Sequence, residues 1–535
     1  MARDWQNTKY GTNLMAFLDR AANRGSISTG YDIDYSLRFD NLFNYPNSSG
    51  PADDWMHRDT ANNAGFRGDI STKDSDNGQK WVMSFWHKRG ASWAERGGGA
   101  ADRNYQAIMG GWNSARYSWL GFGSASGTED AFILSMKQGG DSHDFITNAQ
   151  YRDYAAWYHF FIKVDTTQNT STDRLQLWVN GVRVTSWSTY PAFDEDGENT
   201  HFWADGVRHY IGRNYYGYGT VPCTGYLAAF YFLHNDTTGS GDATITDTSG
   251  YVATTFGEFD SNGIWIPRDP SDDITFGDQA YHLDFANSSD FGNDVGGVGN
   301  HFADSSLNTH NQCTDTPTNN FATLNPNKAG SDNSSTQDLY SHGNCGVVRN
   351  AGAYKQLPNS TIAIPKTMKT YCEFKFTGTD SSFGIASFQT DSGQYGIVGS
   401  DTTYDLSWGC YIYPSASYYG FWHQNSHTSV DTSGGTIYML AVDQAAGKVW
   451  FGADGTWYSS GNPATGANAQ FTNVSTTADL FIACNAGATA GLVNFGNPPF
   501  ALSSGNADEN EYGNFEHAPP SGFLSLCTKN IKAYE

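Results

Sequence analysis

Few residues in this chain combine the type and spacing that chemistry requires. The densest carboxylate run is Asp194-Glu195-Asp196-Gly197-Glu198. A retaining glycosidase needs two carboxyl groups about 5–5.5 Å apart. A strand supplies that geometry through a Glu-x-Asp-x-Glu pattern, because alternate residues share a face. The pattern does not occur in this sequence. The run follows Pro191 and reads as a solvated turn, or else as a Ca²⁺ loop with Asp194, Asp196 and Glu198 as ligands, since that cation takes carboxylate and carbonyl oxygens. His423 and His427 stand four apart, but Gln424-Asn425-Ser426 lies between them, so the general-base Glu of a zinc protease helix is missing. No nucleophile elbow, phosphate loop or dinucleotide fingerprint falls in a suitable context. The sequence therefore predicts no enzyme, no catalytic residues and no required cofactor, with Ca²⁺ the one ion it could hold.

Aromatic clusters are the stronger surface candidates. Tyr215-Tyr216-Gly217-Tyr218 is one; Tyr411, Tyr413, Tyr418, Tyr419 and Trp422 form the other. Sugars stack their C–H faces on aromatic rings while their hydroxyls meet polar side chains. Most aromatics of a β-sandwich are core, and Tyr411 and Tyr413 read that way. Consecutive strand residues cannot all point inward, so some of Tyr215, Tyr216 and Tyr218 should be exposed. Exposed tyrosines serve equally well in a subunit interface. The glycan-contact candidates are Tyr215, Tyr216, Tyr218, Tyr418, Tyr419 and Trp422.

The elements that position these residues follow from composition. At 535 residues the chain exceeds one hydrophobic core, so at least two domains are expected. Only 16% of residues are charged, whereas 15% are aromatic and 59 are Gly. That mixture suits many short strands joined by turns. The net charge of −24 would repel a phosphate backbone, which excludes general nucleic-acid binding. Residues 1–10 lack the apolar core of a signal peptide, and no apolar run approaches the roughly 20 residues of a membrane span. Synthesis in a cytoplasm without membrane insertion is expected. The seven cysteines lack CxxC spacing and are odd in number, so buried thiols are expected.

Along the chain, Leu14, Phe17, Leu18 and Ala21 share a helical face between Asn13, a candidate N-cap, and Gly25. So short a helix must dock on something, either its own domain or a neighbouring protein. Strands begin after Tyr31. The clearest hairpin runs from Arg174 to Val184, with Asn180-Gly181 as a type I′ turn; the stretch from Gly225 to Phe232 reads as a strand covered on both faces. Prolines 267, 270, 317 and 326 punctuate an Asn-, Ser-, Asp- and Gly-rich stretch that reads as a linker. A second β-rich region follows, whose best hairpin turns at Asp454-Gly455.

Several of these segments resemble known proteins. Ser36-Leu37-Arg38-Phe39, residues 84–90, Ala156-Trp157-Tyr158-His159, residues 177–182 and 209–213, Gly225-Tyr226-Leu227-Ala228 and residues 263–267 are similar to LamG-like, concanavalin A-like domains in proteins of marine tailed phages. His282-Leu283-Asp284-Phe285 and residues 316–326 resemble the connecting segment of such proteins. Phe383-Gly384-Ile385-Ala386, residues 439–443, 447–451 and 493–500, and the 519–528 ending resemble a SPRY-like sandwich.

The resemblance implies an all-β chain of two concanavalin A-like antiparallel β-sandwiches (jelly rolls) in tandem, with a short N-terminal helix. Residues 1–30 would be an anchor segment, 31–268 the LamG-like sandwich, 269–335 a loop-rich linker and 336–535 the SPRY-like sandwich. It further implies a non-enzymatic virion protein, such as a tail fibre, head fibre or capsid decoration, with host-glycan adhesion as an additional role. A dedicated lectin-like receptor-binding adhesin is the alternative. The expected partners are other virion proteins, met through Leu14, Phe17 and Leu18, further copies of the chain (a trimer by analogy with phage fibres) and host surface glycans.

Overall fold

The computed structural model describes residues 31–40, 54–58, 80–91, 106–113, 116–123, 130–138, 141–193, 195, 208–216, 219–234, 250–277, 280–297, 299–327, 339–348, 357–378, 380–390, 397–402, 406–412, 420–432, 434–487 and 490–534. The expected helix with Leu14, Phe17 and Leu18 lies outside them. The chain divides into two compact units at Thr318/Asn319, and each is an antiparallel two-sheet sandwich.

In the first unit one eight-stranded sheet runs in spatial order 182–183, 175–179, 157–165, 80–89, 225–234, 36–39 and 312–313, with 281–283 also pairing with 225–234. The second sheet runs 187–189, 141–150, 131–138, 116–123, 106–113, 208–211, 55–58 and 303–305. Strand Lys80–Arg89 shows how sequence becomes layers. Trp81, Met83 and Phe85 enter the core between the sheets, beside Ile108, Leu120, Phe132 and Phe145. The alternate residues Val82 and Trp86 face the other way, into a second core with Trp157, Phe161, Tyr226, Phe256 and Trp265. Alternate side chains point to opposite faces, so a continuous apolar strand is what a sheet covered on both sides requires. Gly225–His234 obeys the same logic, with a bulge after Ala228 that keeps Phe230 and Phe232 facing inward.

The linker reading of 269–335 is corrected for residues 269–318. Tyr281–Leu283, Ala303–Ser305 and Gln312–Cys313 pair into the two sheets, and Tyr281, Leu283, Phe285, Phe291 and Phe302 belong to the core. Strands of two or three residues are too short to show periodicity, and their intervening turn residues dominate the sequence texture. Residues 319–327 belong to the second unit, where Phe321 bridges to Cys527 and Leu324 to Ser360.

The second unit packs an eight-stranded sheet (339–341, 346–348, 490–494, 369–376, 438–443, 448–453, 456–457, with 523–524 added in parallel beside 369–370) against a five-stranded one (426–429, 420–423, 407–412, 381–387, 480–485). Phe374, Tyr438 and Phe451 of the first sheet meet Phe383 and Phe421 of the second. The outer face of the larger sheet, with Tyr371, Met439 and Trp450, is covered by Phe515 and Phe523. All seven cysteines are buried thiols.

Candidate functional site

On the outer face of the first sandwich the strand Trp55–Arg58 alternates, with Met56 and Arg58 buried and Trp55 and His57 half-buried. Its neighbour Arg208–Ile211 places Tyr210 opposite His57, on the outward side. Gly212 then takes φ +91, and a Cβ there would lie 2.4 Å from the Phe39 ring; only glycine makes this bend without strain. Beyond it Arg213 lays its guanidinium 3.5 Å over the Trp55 ring and 4.9 Å from that of Tyr210. Trp55 meets Tyr210 edge-on at 5.4 Å and His57 at 4.8 Å. Arg213 is half-buried and Arg208 is exposed. Rings and cations together suit a sugar's apolar face and an acidic substituent on it. Periodicity alone does not single out Trp55 and Arg213, which lie 158 residues apart; the alternation Trp-Met-His-Arg was the available signal.

Arg213–Tyr216 pairs with Gly219–Pro222, setting Tyr215 opposite Thr220 and Tyr216 opposite Gly219. This hairpin directly continues the platform strand. The side chains of Tyr215 and Tyr216 lie outside the described residues, as do Tyr218, Tyr418, Tyr419, Asp194, Asp196 and Glu198. Glu195 of the acidic run accepts from Arg174 at 2.7 Å. Trp422 is corrected. It is 3% exposed, stacked on His427 at 4.9 Å and packed with Ile397 and Tyr411, so its ring has no open face for a sugar. Tyr411 is core, as expected, with its hydroxyl donating to Asp380 at 2.7 Å.

His423 and His427 fall on opposite faces of their hairpin. His427 is paired with Trp422, whereas His423 stacks on Trp408 and lies 2.9 Å from the Ser407 carbonyl oxygen. Among the described residues no group of three metal-ligating side chains converges.

Two buried constellations look catalytic until their hydrogen bonds are followed. Ser84 Oγ lies 2.8 Å from His159 Nε2, and Trp265 Nε1–H donates to His159 Nδ1 across 3.1 Å. An indole nitrogen only donates, so Nδ1 must accept and the ring proton sits on Nε2. Ser84 is therefore the acceptor, the reverse of what nucleophile activation requires. Burial pushes His159 down to about 3, keeping it neutral. Asp40 and Asp54 are neighbouring carboxylates. Burial first, and the Asp40 charge second, lift Asp54 to about 7. Yet Asp54 Oδ2 accepts from the Asp40 backbone and from Asn311 Nδ2, while Asp40 is bound by Arg38 and His310. These bonds fix the chain around Thr309–Asn311 rather than present acids to a substrate.

No protein-family model and no curated protein matches the sequence. Among solved structures the chain is similar to the PSpry domain of TRIM65, at 13% identity over 32% of this chain and 90% of that one, with a TM-score of 0.24. It is similar to stonustoxin at 16% identity, over 32% of this chain and 26% of that one, with a TM-score of 0.24. The third is the native heptameric SAP-like pentraxin from Limulus polyphemus, at 12% identity over 38% of this chain and 77% of that one, with a TM-score of 0.23. These likenesses concern fold alone. The sheet order of the chain itself makes the fold all-β, built as antiparallel sandwiches.

Proposed function

We propose that this chain is a non-enzymatic structural protein of a tailed-phage virion, and that the outer face of its first sandwich contacts host surface glycans. The observation that carries the glycan role is the half-buried Trp55 with the half-buried Arg213 stacked on it, backed by the buried Tyr210 and flanked by the exposed Arg208. A guanidinium stacked on an aromatic face suits an anionic sugar, because ring and cation together match an apolar sugar face and an acidic substituent. In a chain of net charge −24, such a cationic, aromatic patch selects its ligand against a repulsive background. The non-catalytic reading is supported by the tautomer of His159, which leaves Ser84 without a base. The virion role rests on the ordered resemblance of segments along the chain to marine phage proteins.

The test is a glycan array that includes uronate-bearing and neutral bacterial polysaccharides, probed with the intact protein and with Trp55→Ala. Retention of acidic glycans by the native chain and its loss in a folded variant supports the reading. Equal signals from both proteins would remove this face from consideration.

A further inference from the structure

Lys88 shares the strand face of Val82 and Trp86, which packs into the second core of the first sandwich rather than the space between its sheets. Its cross-strand neighbours are Tyr226 on one side and Trp157 on the other. Nζ lies 5.4 Å from the Tyr226 ring centre and 2.7 Å from Asp315 Oδ2, with the two side chains 1% and 0% exposed. The other oxygen, Oδ1, accepts from Trp157 Nε1 at 3.1 Å. Ser36 Oγ donates to the Asp315 backbone carbonyl at 2.6 Å, so the main chain of the aspartate is fixed as well. A fully buried ion pair carries a desolvation cost that its attraction offsets only in part. A reaction that removes both charges would relieve that cost.

The geometry points to a covalent fate for this pair: Lys88 Nζ and Asp315 Cγ condense to an intramolecular amide with loss of water. Transfer of one proton from Nζ to Oδ2, along their hydrogen bond, turns ammonium and carboxylate into amine and carboxylic acid. The nitrogen lone pair then attacks Cγ, and the C=O electrons move onto Oδ1. Trp157 Nε1–H is already directed at that oxygen and stabilises the charge that develops there, as an oxyanion-hole donor does. Collapse re-forms the C=O bond at Oδ1 and breaks Cγ–Oδ2. A second proton passes from nitrogen to the departing oxygen, which leaves as water. Ammonium plus carboxylate becomes one secondary amide plus one water, with no oxidant and no co-reactant.

Asp153 is a further carboxyl on which the charge of Lys88 acts. It is half-buried in the turn before strand Trp157–Asp165, with Oδ1 accepting from the Ala155 backbone at 2.9 Å. Burial holds its carboxyl above the ordinary carboxylate range, while the charge of Lys88 acts on it in the opposite sense.

The bond would join residues 227 apart in sequence. Lys88 lies on a central strand, whereas Asp315 follows the edge strand Gln312–Cys313 that closes the sheet. A cross-link of this span removes the freedom of the long intervening loop from the unfolded chain. It suits a protein exposed to shear on a particle surface, where reducible links offer less permanence.

The experiment is intact-mass measurement of the full chain under denaturing conditions, followed by tryptic mapping. The expected mass is one water below that of the sequence, with a branched peptide joining the Lys88 and Asp315 segments and no cleavage after Lys88. Lys88→Met and Asp315→Ala should each restore the full sequence mass. A full-length mass with linear peptides in the native protein, even after prolonged incubation at neutral pH, would overturn the proposal. So would a water deficit that persists in Lys88→Met, since the loss would then arise elsewhere.

Discussion

The indole N–H of Trp265 donates to Nδ1 of His159 across 3.1 Å, within a fully buried setting that keeps the imidazole neutral. His159 can gain a proton only by losing its Trp265 partner. Its folded value lies near 3, below the ordinary value of about 6.5 that the unfolded chain would show. Above pH 6.5 both states are neutral and the residue adds no pH dependence. Below it the unfolded chain binds a proton that the folded chain refuses. Relative to His159→Phe, the native protein should therefore lose about 1.4 kcal/mol per pH unit between pH 6.5 and 4. Denaturant unfolding of both proteins across that range measures the difference; a constant gap would refute the depression of His159 by burial.

The same indole bears on the hairpin turn. Gly181 has φ +74, and a Cβ there would lie 2.3 Å from the Trp265 ring. Gly181→Ala combines left-handed strain with a clash against a rigid ring, so a loss of about 2 kcal/mol or more is expected. Thermal unfolding checks it.

In the second sandwich Glu373 is fully buried and accepts four bonds: from Tyr371 Oη at 3.0 Å and His517 N at 2.8 Å on Oε1, and from Asn494 Nδ2 at 3.2 Å and Glu516 N at 3.0 Å on Oε2. Either orientation of an amide would aim an NH₂ at a backbone N–H. Glu373→Gln should cost about 2–4 kcal/mol and speed amide exchange at Glu516 and His517. Unchanged protection there would show that the strap is held by Phe515 and Phe523 alone.

At the outer face, Arg213→Ala should weaken binding of an acidic polysaccharide about tenfold, roughly 1.4 kcal/mol, with the melting temperature nearly unchanged. Added salt should weaken the native interaction in the same direction. Titration calorimetry at two ionic strengths separates this from a purely apolar contact.

Much of the fold was legible because local chemistry and global layering agree. Asn180 and Gly181 both take positive φ, as do Asp454 and Gly455, and each pair closes the hairpin that its sequence announces. The stretch from Gly225 to Phe232 read as doubly covered because no charged residue interrupts it, and the strand runs on to His234. The closing strands at 281–283, 303–305 and 312–313 were illegible: each is too short for a period, and each is held by partners more than 40 residues away. Trp422 shows the converse failure. A local crowd of aromatics signals a surface only if something keeps the rings outside, and here His427 on the neighbouring strand covers the ring. Lys88 and Asp315 carry no sequence signal at all, since their juxtaposition exists only once the last strand of the unit is in place.

The proposed role requires this protein to be built into a virion. Labelling with an antibody against the chain, followed by cryo-electron microscopy of purified intact particles, tests it most directly. The expected result is label at fixed, repeated positions on the tail, a fibre or the capsid. Particles without label, in a lysate that contains the chain in soluble form, would contradict it.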